Sequence, residues 1–142
     1  MKKLKQVLYA LTLCMTLFLP AQAHAEFALI VHPSNAYALT DADIEKLYTG
    51  RTSKFPDGYN AIALDRTEGS AIRVAFVEKL LGKSEAQLKS YWARLIFTGK
   101  GVPPRAAATD QEVIDLVSRN QDAIGFVDAA SVTAAVKVVK TF

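Results

Sequence analysis

Ala61-Ile62-Ala63-Leu64-Asp65-Arg66-Thr67-Glu68-Gly69-Ser70 passes from a short apolar run into a polar loop, and residues 71–81 follow with Ile72, Ala75, Phe76 and Leu80 at helical spacing. Four apolar residues bounded by turn formers predict a buried strand, and the i, i+3, i+4 spacing predicts a helix that Gly82 stops. Strand, short loop and helix make up the repeating half of an α/β sheet.

The same alternation extends in both directions. Upstream, Phe27-Ala28-Leu29-Ile30-Val31 predicts a strand ended by His32-Pro33-Ser34-Asn35. Thr40 with Asp43 then caps a short helix carrying Ile44, Leu47 and Tyr48, which Gly50 stops. Residues 51–59 are polar with Pro56, Asp57 and Gly58, and they predict a surface turn. Downstream, Ser84 and Gln87 form a capping box for a helix whose stripe is Leu88, Tyr91, Trp92, Leu95 and Ile96. Gly99-Lys100-Gly101-Val102-Pro103-Pro104 breaks regular structure, and Thr109 with Glu112 caps a helix bearing Val113, Ile114, Leu116 and Val117. Ala123-Ile124-Gly125-Phe126-Val127 predicts a buried strand, and Val136-Lys137-Val138-Val139-Lys140 alternates like an edge strand. The expectation is an α/β fold, a mixed but mostly parallel sheet with helices on both faces.

The chain opens on Met1-Lys2-Lys3-Leu4-Lys5, continues with an apolar run over residues 7–19 broken by Pro20, and closes on Ala23-His24-Ala25. Basic start, apolar middle and small-x-small ending predict a cleavable secretory signal over 1–25, and the apolar run is too short to span a bilayer. Cys14 lies inside that run after bulky Leu13, which argues against a lipidation site. Residues 26–142 then form one domain in the periplasm.

The sequence holds 17 Lys and Arg against 14 Asp and Glu, and Lys2, Lys3 and Lys5 of the leader account for the excess. A balanced domain has no electrostatic reason to bind nucleic acid or anionic lipid, so neither partner is expected, nor membrane insertion after cleavage. Without Cys14 there is no thiol for a disulfide or for catalysis, and His32 is the one remaining histidine. Ser70 has no nearby base in sequence and no nucleophile-elbow pattern, and the acids lack metal-ligand spacing. No enzyme activity, metal or cofactor is expected.

The residues that can carry function lie at the first junction. In open α/β sheets ligands settle beyond the carboxyl ends of strands, where helix amino termini present unpaired N–H groups. Gly69 lets backbone approach an anion, Ser70 caps the helix and offers a hydroxyl, and the amides of Ala71 and Ile72 add donors. Arg66 brings a planar guanidinium that grips two oxygens, and Glu68 is placed to hold it by a salt link. On the residues alone, Ser70 is equally an ordinary cap, Arg66 a solvated charge and Arg73 a surface residue. Lys100 lacks the flanking pattern of a phosphate-binding loop.

From Ile30 to Val127 the sequence resembles the substrate-binding proteins of phosphate ABC transporters. Ile30-Val31-His32-Pro33-Ser34-Asn35 is similar to the strand by which that family's chain enters its second lobe, and Leu39-Thr40 through Ile44 and Leu47-Tyr48-Thr49-Gly50-Arg51 to the helix that follows. Leu64-Asp65-Arg66-Thr67-Glu68-Gly69-Ser70 resembles its phosphate-holding loop, and Ala123-Ile124-Gly125-Phe126-Val127 one of its later strands. The resemblance implies a single lobe of the periplasmic-binding-protein type II fold, with Arg66, Gly69, Ser70, Ala71 and Ile72 around phosphate or a related oxyanion. It implies service to an ABC permease. Ala71 and Ile72 stand where the family has glycine and threonine, so one hydroxyl donor is missing. The family's other lobe supplies a carboxylate that accepts the proton of hydrogen phosphate, and nothing here clearly replaces it. The alternative expectation is an interaction module that docks on an envelope protein or on a second copy of itself.

Overall fold

The computed structural model describes residues 26–142, and the secretory signal read over 1–25 lies outside them. In chain order the elements are β1 (Phe27–Val31), α1 (Asp41–Tyr48), β2 (Ile62–Arg66), α2 (Ala71–Leu81), α3 (Glu85–Phe97), β3 (Arg105–Ala107), α4 (Asp110–Arg119), β4 (Ala123–Asp128) and β5 (Lys137–Thr141), with a 3₁₀ turn at Ala129–Ser131. The spatial order of the sheet is β3-β2-β4-β1-β5. β2 pairs in parallel with β3 and β4, whereas β1 runs antiparallel to β4 and β5. The sheet is mixed as expected, but it is not mostly parallel: its two halves are parallel and antiparallel, and the carboxyl-terminal edge of β2, β3 and β4 belongs to the parallel half.

Side-chain alternation along the strands explains the layers. Phe27, Leu29 and Val31 of β1, with Ile124 and Phe126 of β4, pack under α1, α2 and α3 through Ile44, Tyr48, Phe76, Val77, Leu88 and Trp92. Ala28 and Ile30 of β1, with Ala123 and Val127, face Val113, Ile114 and Val117 of α4 on the other side. The central strands are apolar on both faces because both faces are covered. Aromatic rings lock the larger layer: Phe76 of α2 stacks on Phe126 of β4 at 3.9 Å and 4°, with Tyr48 edge-on to Phe76 at 4.6 Å.

Gly125 is required by the smaller layer. A Cβ there would lie 2.5 Å from Val113 Cγ1, so the missing side chain lets α4 approach the middle of β4. The edge strands are short or charged: β5 presents Lys137 and Lys140, and β3 has three residues. β3 was not legible in the sequence. Arg105-Ala106-Ala107 has no strand periodicity and becomes a strand through its parallel pairing with Leu64–Arg66 of β2.

Candidate functional site

β2, β3 and β4 end side by side at Arg66, Ala107 and Asp128, and beyond this edge begin α2 at Ala71, α4 at Asp110 and the 3₁₀ turn at Ala129. The edge therefore gathers helix amino termini. Alternation divides it: Leu64 packs toward α4 and Ala63 toward the α1–α3 layer, so the last two residues of β2 also part, Arg66 toward α4 and Asp65 toward α2.

On the α4 side, the guanidinium of Arg66 is committed to protein acceptors. Its Nε donates to the Ala107 carbonyl at 3.3 Å, and its Nη1 donates to the Phe126 carbonyl at 3.3 Å and to Asp110 Oδ1. The β2–β4 ladder stops at Ala63–Ile124, and beyond it the guanidinium bonds the Phe126 carbonyl of β4 as the Tyr48 hydroxyl bonds Leu64 O at 3.0 Å. Asp110 Oδ2 accepts in turn from the Ser131 hydroxyl at 2.6 Å and the Asp128 amide at 3.3 Å. Burial opposes the charge on Asp110, but Ser131, Arg66 and the Asp128 amide outweigh it and hold the carboxyl below its usual value. The salt link expected between Glu68 and Arg66 is not formed. Glu68 stands at the surface with Lys89 at 3.3 Å, because Arg66 leaves its strand on the far side from the loop and meets Asp110 instead. Arg66 makes no hydrogen bond to Gly69 or Ser70, and Nη2 has no acceptor among the described residues.

On the α2 side the cation is Arg73. It is 12% exposed, donates to both oxygens of Asp65 at 3.0–3.1 Å through Nε and Nη2, and reaches Glu85 Oε1 at 2.8 Å through Nη1. Burial works against its charge, yet the two carboxylates raise its pKa. Glu85, the first residue of α3, also accepts from the Gly69 amide at 3.1 Å. Gly69 has φ +83°, a conformation that suits glycine, and nothing lies within 4 Å of where its Cβ would stand. The loop backbone is thus open to solvent there. Ser70 occupies the N-cap position but does not cap: its hydroxyl turns back to Thr67 O at 2.7 Å, and its amide also bonds Thr67 O, at 3.1 Å. The expected capping contact of Ser70 is therefore replaced by a local turn. The amides of Ala71, Ile72 and Arg73 have no acceptor among the described residues.

Arg73 and Asp110 are the edge residues that pattern reading passed over. Arg73, read as a surface residue, adjoins Ile72 and precedes Phe76 by about one turn, a place at the border of the apolar stripe of α2 that was a signal available in the sequence. Asp110 gave none, since a first-turn acid is an ordinary feature of a helix start. Among the described residues no three His, Cys, Asp or Glu side chains come close enough to hold a metal ion, and no helix is long and apolar enough to cross a membrane.

This architecture matches part of solved substrate-binding proteins of phosphate transport. The chain is similar to a protein from Clostridium perfringens described as a phosphate ABC transporter substrate-binding protein, solved with bound phosphate: 26% identity, TM-score 0.65, 82% of this chain and 45% of that one. An ABC-type phosphate transport receptor from Vibrio cholerae matches with 21% identity and TM-score 0.63 over 82% of this chain and 46% of that one. PstS from Borrelia burgdorferi shares the fold at 15% identity, TM-score 0.59, 82% and 47%. These neighbours are binding and transport proteins, not enzymes, and this chain spans less than half of their length. No protein-family model and no curated protein matches the sequence.

Proposed function

We propose that this protein binds phosphate or a related tetrahedral oxyanion at the amino terminus of α2, in the periplasm, as a single lobe of the substrate-binding fold. One observation carries the reading. Of the four α-helices among the described residues, α1, α3 and α4 have acids in their first turn and a side-chain cap, whereas α2 has neither. A helix start without an acid in its own first turn and without a side-chain cap keeps the amides of Ala71, Ile72 and Arg73 for a guest. The unpartnered amides of Ala71, Ile72 and Arg73 form the donor set, with the Gly69 amide and the Arg73 guanidinium shared with Glu85; the Ser70 hydroxyl and Arg66 are committed to Thr67 O and to Asp110. The likeness to a phosphate-bound neighbour supports the choice of anion. Binding is weak, roughly millimolar, because a one-lobe site stays open to water and salt. A role beside an ABC permease belongs to the same proposal.

Calorimetry of the protein with phosphate, sulfate and arsenate tests the reading, with Ala71→Asp as control. An aspartate at this position puts a negative charge on the free amides while suiting a helix start, so it should remove anion binding and keep the fold. Absence of heat at ten times the expected concentration, or an unchanged response in Ala71→Asp, overturns the reading.

A second reading has its own observation. Phe97 is 93% exposed and Val102 86%, and Val102 lines a cleft of about 380 Å³ with Trp92, Ile62 and Pro103. Exposed apolar side chains favour a docking module, for which molecular mass in solution would rise with concentration regardless of anion.

A further inference from the structure

The α2 side of the edge already holds a negative guest, supplied by the chain itself. Glu85 Oε1 accepts from the Gly69 amide at 3.1 Å and from Arg73 Nη1 at 2.8 Å, the backbone donor at the open glycine and the cation nearest α2. Burial opposes the Glu85 charge, but these two donors and the Arg73 charge hold its carboxyl below the usual range, so it is ionised at neutral pH. We propose that Glu85 is a tethered competitor that decides which anions α2 accepts: it excludes monoanions and yields to tetrahedral dianions. This inference rests on the oxyanion reading given above.

The argument is one of effective concentration and charge. A carboxylate fixed at the start of a neighbouring helix faces the Gly69 amide at an effective concentration of about millimolar or more. A free monoanion such as acetate offers the same charge and two oxygens, so it gains nothing by displacing Glu85 until its own concentration exceeds that value. A tetrahedral dianion brings a second charge, and its further oxygens can reach the Ala71, Ile72 and Arg73 amides that Glu85 leaves unmet. Displacement does not strand Glu85. Its side chain is 21% exposed, and Lys89 lies one turn along α3, the spacing at which Glu followed by Lys pairs favourably. Lys89 now bonds surface-exposed Glu68 at 3.3 Å, a contact that is easily exchanged. Asp65 keeps Arg73 in position throughout.

The test compares the protein and its Glu85→Gln variant by NMR titration with sulfate and with acetate, at constant ionic strength. The substituted glutamine can still accept from the Gly69 amide through its carbonyl oxygen but carries no charge. The variant should bind sulfate about five- to tenfold more tightly and should respond to acetate where the unmodified protein does not. In the unmodified protein, saturating sulfate should also shift the Glu85 carboxyl resonance together with the Gly69 amide, a readout that does not depend on the variant folding. If sulfate binds the unmodified protein without moving Glu85, or Glu85→Gln binds no tighter, the competitor role is overturned and the oxyanion reading stands. If sulfate and phosphate bind neither protein, the oxyanion reading itself fails and this inference with it.

Discussion

Asp110 accepts from the Arg66 guanidinium, the Ser131 hydroxyl and the Asp128 amide, and it thereby ties β2, α4 and the turn after β4 to one carboxylate. Removing its charge leaves the nearly buried Arg66 uncompensated, so Asp110→Asn should cost roughly 2–4 kcal/mol in urea unfolding, less than a wholly buried pair because Asp110 keeps 23% exposure. Asp110 and Glu85 both have folded-state pKa values below those of free carboxyls. In the unfolded chain such groups titrate near about 4, so the stability they contribute is complete above about pH 5 and is lost as pH falls through 4 toward their folded values. Urea midpoints measured from pH 7 to pH 3 should decline in that window, and less steeply in Asp110→Asn. Gly125 makes a different kind of demand. Gly125→Ala forces a Cβ against Val113 and should cost about 1–3 kcal/mol, since a packed core has no room to yield.

The four helices among the described residues differ at their starts: α1, α3 and α4 have a side-chain cap and α2 does not. Ser84 accepts from the Gln87 amide at 3.1 Å and Gln87 reaches back to Ser84 N at 2.9 Å, so α3 depends on its cap. Ser84→Ala should lower stability by about 1 kcal/mol. Ser70→Ala, at the same position of α2, should cost only a few tenths, because its hydroxyl satisfies no helix amide. Ala71→Asp should raise stability by roughly 0.3–1 kcal/mol through the helix dipole while it abolishes anion binding. Thermal midpoints of the three variants, measured with and without sulfate, distinguish a helix start kept open for a ligand from one that is merely poorly capped.

The α1–α3 layer and the α4 layer share one sheet, and Phe126 stands at its centre between Phe76, Phe27 and Tyr48. Phe126→Ala should cost about 3–5 kcal/mol and leave a single unfolding transition, because neither layer has a core without β1 and β4. The parallel half of that sheet sets the position of the edge at which we propose the anion binds. Three strands ending together bring α2, α4 and the turn after β4 to one place, although residues 66, 110 and 128 are far apart along the chain.

Strands such as Phe27–Val31 and Ala123–Asp128, and the caps at Thr40, Ser84 and Thr109, were readable from composition and spacing, because strand alternation and capping hydrogen bonds act over three or four residues. The turn before α2 was recognisable for the same reason, although Asp65 and Arg66, read as loop, belong to β2. Its electrostatics were not. Asp65 and Arg66 adjoin in sequence and serve opposite faces of the sheet, and the partners that settle their roles lie 8 residues away at Arg73 and 44 away at Asp110. Glu85 meets Gly69 across 16 residues, through the packing of α3 beside α2. A charge near the end of a strand chooses among acceptors according to which helix covers its face, and that choice exists only once the layers have assembled.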